Sequence, residues 1–138
     1  MADFDGHLKG STFVSIVVGI TTLNLTASTA SAIIAGVISF VSGLYPDMDI
    51  ASKARRYITL VAIPIILYFY YQHQYDYSLI VSMLVLIPSI FKHRGFVHSF
   101  VFMGLLTTAT YYYFGIISVA VIPGYLIHLI LDEHFKMF

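Results

Sequence analysis

Six apolar runs dominate this chain, at roughly Ser11–Leu25, Ser28–Leu44, Tyr57–Gln72, Tyr77–Ile90, Ser99–Phe114 and Ile116–Leu131. Only short polar connections separate them. Such a pattern restricts the fold to apolar helices packed side by side, entering and leaving a membrane. The runs are short. At about 1.5 Å per residue, roughly 16 residues rise about 24 Å, less than the ~30 Å hydrocarbon core. Local thinning, or ends lying in the interface, would absorb the mismatch.

Composition agrees with a membrane solvent. Of the 138 residues, 59% are hydrophobic and 10% are charged, and the mean hydropathy is +0.87. Soluble domains carry roughly 25% charged residues. The expectation is an all-α polytopic bundle of about six short helices, forming one integral-membrane domain over residues 1–138. The absence of cysteine excludes disulfides and thiolate metal sites. Zero net charge without a basic stripe gives nucleic-acid binding no electrostatic support. The segment Met1–Gly10 is polar and holds two aspartates and one lysine. It lacks the positive start of a secretory signal, so the first run is expected to stay in the membrane.

Charge placement orients the bundle. With six crossings, Lys9, Lys53, Arg55, Arg56, Lys92, Arg94 and Lys136 all fall on one side. The connections near 24–29, 73–76 and 114–115 carry neither lysine nor arginine. The positive-inside rule makes the basic side cytoplasmic, with both termini there. Tyr68, Tyr70, Tyr71, Tyr75 and Tyr77, with Tyr111–Tyr113, form an aromatic belt at the opposite interface. The second run carries Ser28, Ala30, Ala32, Ala35, Gly36 and Ser39, small residues that let helix backbones approach. Pro64, Pro88 and Pro123 each mark a kink or a helix end.

The basic side also collects the metal-ligating residue types: His7; Asp47 and Asp49; His93 and His98; and His128 and Asp132. His128 and Asp132 are spaced i, i+4, on one helix face, where both can reach one ion or simply bond to each other. Asp47 and Asp49 sit on a turn after Pro46, facing a cation or capping the next helix. In His93-Arg94-Gly95-Phe96-Val97-His98-Ser99, Gly95 permits a tight turn. His93 then falls on the loop and His98 in the first turn of the fifth helix, with Ser99 available as its cap. Arg94 offers a planar donor fork suited to phosphate. Ionisable groups beside a membrane usually have a task. His134, His73 and Asp76 read as peripheral.

Imidazoles and carboxylates without thiolates suit a divalent metal, zinc first, with manganese, iron or magnesium as alternatives. Seven candidates exceed one tetrahedral ion, so either two ions share a bridging aspartate or some residues orient the others. The candidate catalytic residues are Asp47 or Asp49 as general base and Arg94 as clamp for charge on a phosphoryl oxygen.

The order of Gly-His-Leu at 6–8, Pro-Asp-Met-Asp at 46–49, His-Arg-Gly-Phe-Val-His-Ser at 93–99 and Gly-Tyr-Leu-Ile-His-Leu-Ile-Leu-Asp at 124–132 resembles the YdjM-like inner-membrane proteins, described as metal-dependent hydrolases. Two positions depart from the family pattern: Ile50 stands where relatives often carry histidine, and Val97 where they often carry threonine. The resemblance implies His7, Asp47, Asp49, His93, His98, His128 and Asp132 as site residues. It also implies hydrolysis as the reaction type. Location at headgroup depth points to a lipid or lipid-linked phosphate, with membrane lipids as the partners. The competing expectation is a non-enzymatic protein whose metal or polar network ties helix ends together. An ion carrier is disfavoured, because the middles of the runs contain almost no ionisable groups.

Overall fold

The computed structural model describes residues 4–49, 52–91 and 95–132, with the side chain of Asp49 outside that description. The described residues form six α-helices: α1 Phe4–Thr26, α2 Thr29–Leu44, α3 Lys53–Tyr71, α4 Tyr75–Leu86, α5 Phe100–Phe114 and α6 Val121–Leu131. Short 3₁₀ turns at Pro46–Asp49, Ile87–Ile90, Phe96–His98 and Gly115–Ala120 complete the path. The all-helical expectation therefore holds.

Serine caps set three of the helix starts. The hydroxyl of Ser28 accepts from the Ser31 amide, that of Ser52 from Arg55 and that of Ser99 from Phe102. Each satisfies one of the amides that a helix start leaves open. Ser52 thus takes the capping role considered for the aspartates. The first helix is longer than its apolar run. It starts at Phe4 and holds His7 and Lys9 within its first turns, for a length of 23 residues. At about 1.5 Å per residue this is roughly 35 Å, enough to cross a bilayer. Pro64 is accommodated inside α3, while Pro88 lies in the 3₁₀ turn that ends α4.

Three hairpins stand side by side. Two residues, Ala27 and Ser28, separate α1 from α2; residues 72–74 separate α3 from α4; and the turn Gly115–Ala120 reverses α5 into α6. Each reversal contains one left-handed residue, namely Ala27, His73 or Gly115. The stretch Phe100–Leu131 is apolar throughout, but its reversal at Gly115 makes it two short helices rather than one long span. At the reversal end the rings of Tyr77 and Tyr113 approach to 6.1 Å, and the His73 ring bonds to the Tyr75 hydroxyl at 2.9 Å. The tyrosine clusters on α4 and α5 therefore occupy one level.

Burial is inverted relative to a soluble domain. Phe13 is 69% exposed and Ile33 62%, while Ser11, Ser39 and Ser118 are at or below 1%. Apolar surface outside and small polar groups inside is the arrangement a lipid solvent favours, because lipid tails offer no hydrophobic drive between helices. Close backbone approach supplies the packing instead. A Cβ on Gly124 would collide with the Ser39 carbonyl, and one on Gly43 would collide with the Ser11 hydroxyl. These contacts clamp α1, α2 and α6 together. Larger side chains fill the other half of the bundle, where Tyr45, Met48, Val97, Phe102, Tyr125 and Leu129 form a core beneath the 3₁₀ turns. The Tyr45 hydroxyl also donates to the Leu84 carbonyl at 2.7 Å, joining α2 to α4.

Candidate metal centre

The three hairpins bring helix starts and ends to one level, and the metal-ligating side chains meet there. His7 comes from the first turns of α1, Asp47 from the turn after α2, His98 from the turn before α5, and His128 and Asp132 from the last turn and cap of α6. One donor atom from each of Asp47, His98, His128 and Asp132 lies within 4.8 Å of the other three. His98 and His128 are fully buried, Asp132 nearly so, and Asp47 is partly open.

Individual distances are those of a ligand cage. The His128 Nε2 atom stands 3.3 Å from Asp132 Oδ2 and 3.8 Å from Asp47 Oδ1, and His98 Nε2 stands 3.7 Å from Asp132 Oδ2. Metal–ligand bonds of about 2.0–2.1 Å place tetrahedral donors roughly 3.3 Å apart. Small side-chain rotations separate the observed set from that spacing.

His128 carries the chemical argument. Its Nδ1 atom lies 2.9 Å from the Gly43 carbonyl. A carbonyl only accepts, so Nδ1 holds the proton and donates. In the neutral ring, Nε2 then presents a lone pair to two carboxylates. Among the described residues it has no hydrogen-bond partner, and it is buried. A lone pair facing two carboxylate oxygens is repulsive unless a metal ion or a proton lies between them. The donor set fits a divalent ion, with the Gly43 carbonyl fixing the tautomer as outer-shell partners of ligating histidines do.

His7 occupies a neighbouring position. Its Nε2 lies 3.2 Å from Asp132 Oδ1, and its ring stacks on His128 with centroids 4.2 Å apart. Asp132 therefore turns one oxygen to His7 and the other to His98 and His128. Burial alone would raise its carboxyl. Without a metal, His128 and His7 in their protonated form donate to it, and these bonds with their positive charge outweigh burial and hold it well below the usual carboxylate range.

His98 lies in the 3₁₀ turn ahead of α5 rather than in its first helical turn. Its backbone amide bonds to the Gly95 carbonyl at 3.0 Å, and the Tyr125 hydroxyl donates to the carbonyl of Val97 beside it. Asp47 is held similarly. The flanking Pro46 and Met48 are fully buried, and the Asp47 carbonyl accepts from Ser52 at 2.7 Å. Sequence reasoning missed Gly43 and Tyr125. Tyr125 stands one turn before His128, a spacing that could have marked it as a support. Gly43 acts through its backbone and left no side-chain signal. His93, Arg94 and the side chain of Asp49 lie outside the described residues.

These features define a helical bundle with small residues and a His/Asp centre inside and large apolar residues outside, the organisation of a polytopic membrane protein. The chain belongs to the YdjM inner membrane protein family, whose model matches residues 3–137. No curated protein and no solved structure matches it.

Proposed function

We propose that the chain is a metal-dependent hydrolase of the inner membrane, acting on an ester or phosphoester of a lipid or lipid-linked substrate. The observation that carries this reading is the convergence of Asp47, His98, His128 and Asp132, with the His128 lone pair aimed between two carboxylates. Of these, His98, His128 and Asp132 would hold one divalent ion, zinc by ligand type, leaving a fourth position open beside Asp47. Such an ion supplies Lewis-acid polarisation of a carbonyl or phosphoryl oxygen.

The protein's own residues divide the remaining work. Asp47 is the most open of the four, with its side chain 14% exposed against 4% for Asp132. It is the carboxylate best placed to take a proton from an attacking water. His7 and Gly43 position, through Asp132 and His128 respectively. Asp49 as a second acidic group, His93 as a further ligand and Arg94 as the clamp for a phosphoryl oxygen belong to the same reading. The positive-inside pattern puts this end, and both termini, in the cytoplasm. A substrate arriving there meets the centre at headgroup depth.

A second reading has specific support: the four donors come from three separate parts of the chain, so a metal or polar network there would also tie helix ends together. Elemental mass spectrometry on detergent-purified protein separates the outcomes, comparing wild type with His98→Ala and Asp132→Ala. The expected result is near-stoichiometric metal in the wild type and loss in both variants, together with hydrolysis of lipid phosphoesters. Metal without turnover leaves the structural reading. No metal after incubation with zinc, manganese or iron overturns the hydrolase.

A further inference from the structure

The first turn of α3 is built against helix stability. Lys53, Arg55 and Arg56 stand at its N-terminal end, and no acidic residue accompanies them in that turn. The helix dipole is already positive there, so three cations are unfavourable unless an anion joins them. Among the described residues none of the three has a carboxylate partner; Lys53 lies over the Phe4 ring at 5.8 Å.

A long cleft starts at the same place. It has a volume of about 670 Å³ and is lined by α1, α2 and α3, with Val81 from α4. That size falls within the range of ligand pockets, roughly 300–1,000 Å³. Lys53 and Asp5 line its polar end, and the rest is almost wholly apolar. Along α3 the lining residues Ala54, Tyr57, Ile58, Val61, Ala62 and Ile65 follow helical spacing, so one face of the helix forms a wall about 18 Å long from Lys53 to Ile65. Ala54 and Ala62 are buried at its floor, and their small side chains leave the space open.

We propose that this cleft is the binding slot for one anionic glycerophospholipid, one acyl chain lying along α3 and its phosphate held at Lys53 on the cleft wall, with Arg55 and Arg56 of the same helical turn adding positive charge beside it. Basic residues beside a membrane attract anionic headgroups by about 1 kcal/mol each, and the cleft adds a place for the chain that a surface patch lacks. The cap of α3 links the slot to the centre, because Ser52 bonds to the Asp47 carbonyl at 2.7 Å. That this lipid is the substrate rests on the hydrolase reading above; the slot itself does not.

Two measurements test it. In the first, wild-type protein in phosphatidylcholine nanodiscs doped with phosphatidylglycerol carrying a diazirine in its chain is irradiated and digested. Attachment concentrated on residues 40–44 and 54–65 supports the slot; attachment spread evenly over the outward faces of all helices overturns it. In the second, native mass spectrometry compares retained phosphatidylglycerol with retained phosphatidylcholine. Ala62→Phe, which fills the floor, is expected to lower phosphatidylglycerol retention about tenfold with its thermal melt preserved. The double variant Lys53→Gln, Arg55→Gln is expected to abolish the preference for the anionic lipid. Retention of phosphatidylglycerol by a folded Ala62→Phe protein equal to the wild type overturns the proposal. Metal-free protein that still labels at the cleft supports the slot and overturns only the hydrolase reading.

Discussion

His128 uses its two ring nitrogens differently, and most of the centre's logic follows from that. Nδ1 is committed to the Gly43 carbonyl, which leaves Nε2 to face Asp47 and Asp132. His7 acts on the far side of Asp132 and contributes no atom to the converging four. In the proposed centre it would position that carboxylate. His7→Asn is therefore expected to weaken metal affinity by about 10–100-fold, the usual effect of losing an outer-shell partner. Stoichiometry at saturating metal should stay the same. Competition against a chelator of known affinity measures this, and an unchanged affinity would remove His7 from the centre. Of the seven candidate ligands named from sequence, residue type alone could not distinguish His7 from His128. Both are histidines near a helix end, and only the contact with Gly43 separates their tasks.

At the scale of helices, the centre depends on how closely α2 and α6 approach. Gly124 sits one turn before His128 and touches the Ser39 backbone, so it sets the distance from α6 to α2. Gly124→Ala is expected to cost roughly 1–3 kcal/mol through overpacking. Metal binding should fall with it, because His128 and Asp132 would move with α6. Gly104→Ala is the matched control: nothing lies near its added methyl, and helix propensity favours alanine by about 1 kcal/mol. Thermal melts of the two variants should shift in opposite directions. The helices themselves were legible. All six apolar runs became helices, and the capping serines Ser28 and Ser99 stand at or beside the starts those runs marked. The start of α1 was not legible, because the polar residues before Ser11 show no apolar period. Their helical state comes from packing, with the Gly10 backbone against the Leu131 side chain and His7 beneath Asp132.

The whole molecule is three hairpins whose open ends share one level and whose reversals share the other. The chain contains no cysteine, so single cysteines can be introduced without a background. An impermeant maleimide applied to intact cells should label Gln74→Cys, at the α3–α4 reversal, and should leave Arg56→Cys untouched until the membrane is opened. Labelling in the reverse order would invert the orientation read from the basic residues and move the centre to the outer face. The exposed apolar belt and buried serines argue for lipid as the surrounding solvent.

The sequence by itself determined the solvent, the helical class and the side on which the chemistry gathers. These follow from composition, from the length of apolar runs and from the position of charges, all of which are local or additive along the chain. Tertiary structure decided which histidines and aspartates meet. His7 and Asp132 are 125 residues apart, and His128 reaches a carbonyl 85 residues away. No spacing rule connects such positions. Backbone contacts at Gly43 and Gly124 connect them, by allowing three helices to come close enough for short side chains to converge on one point.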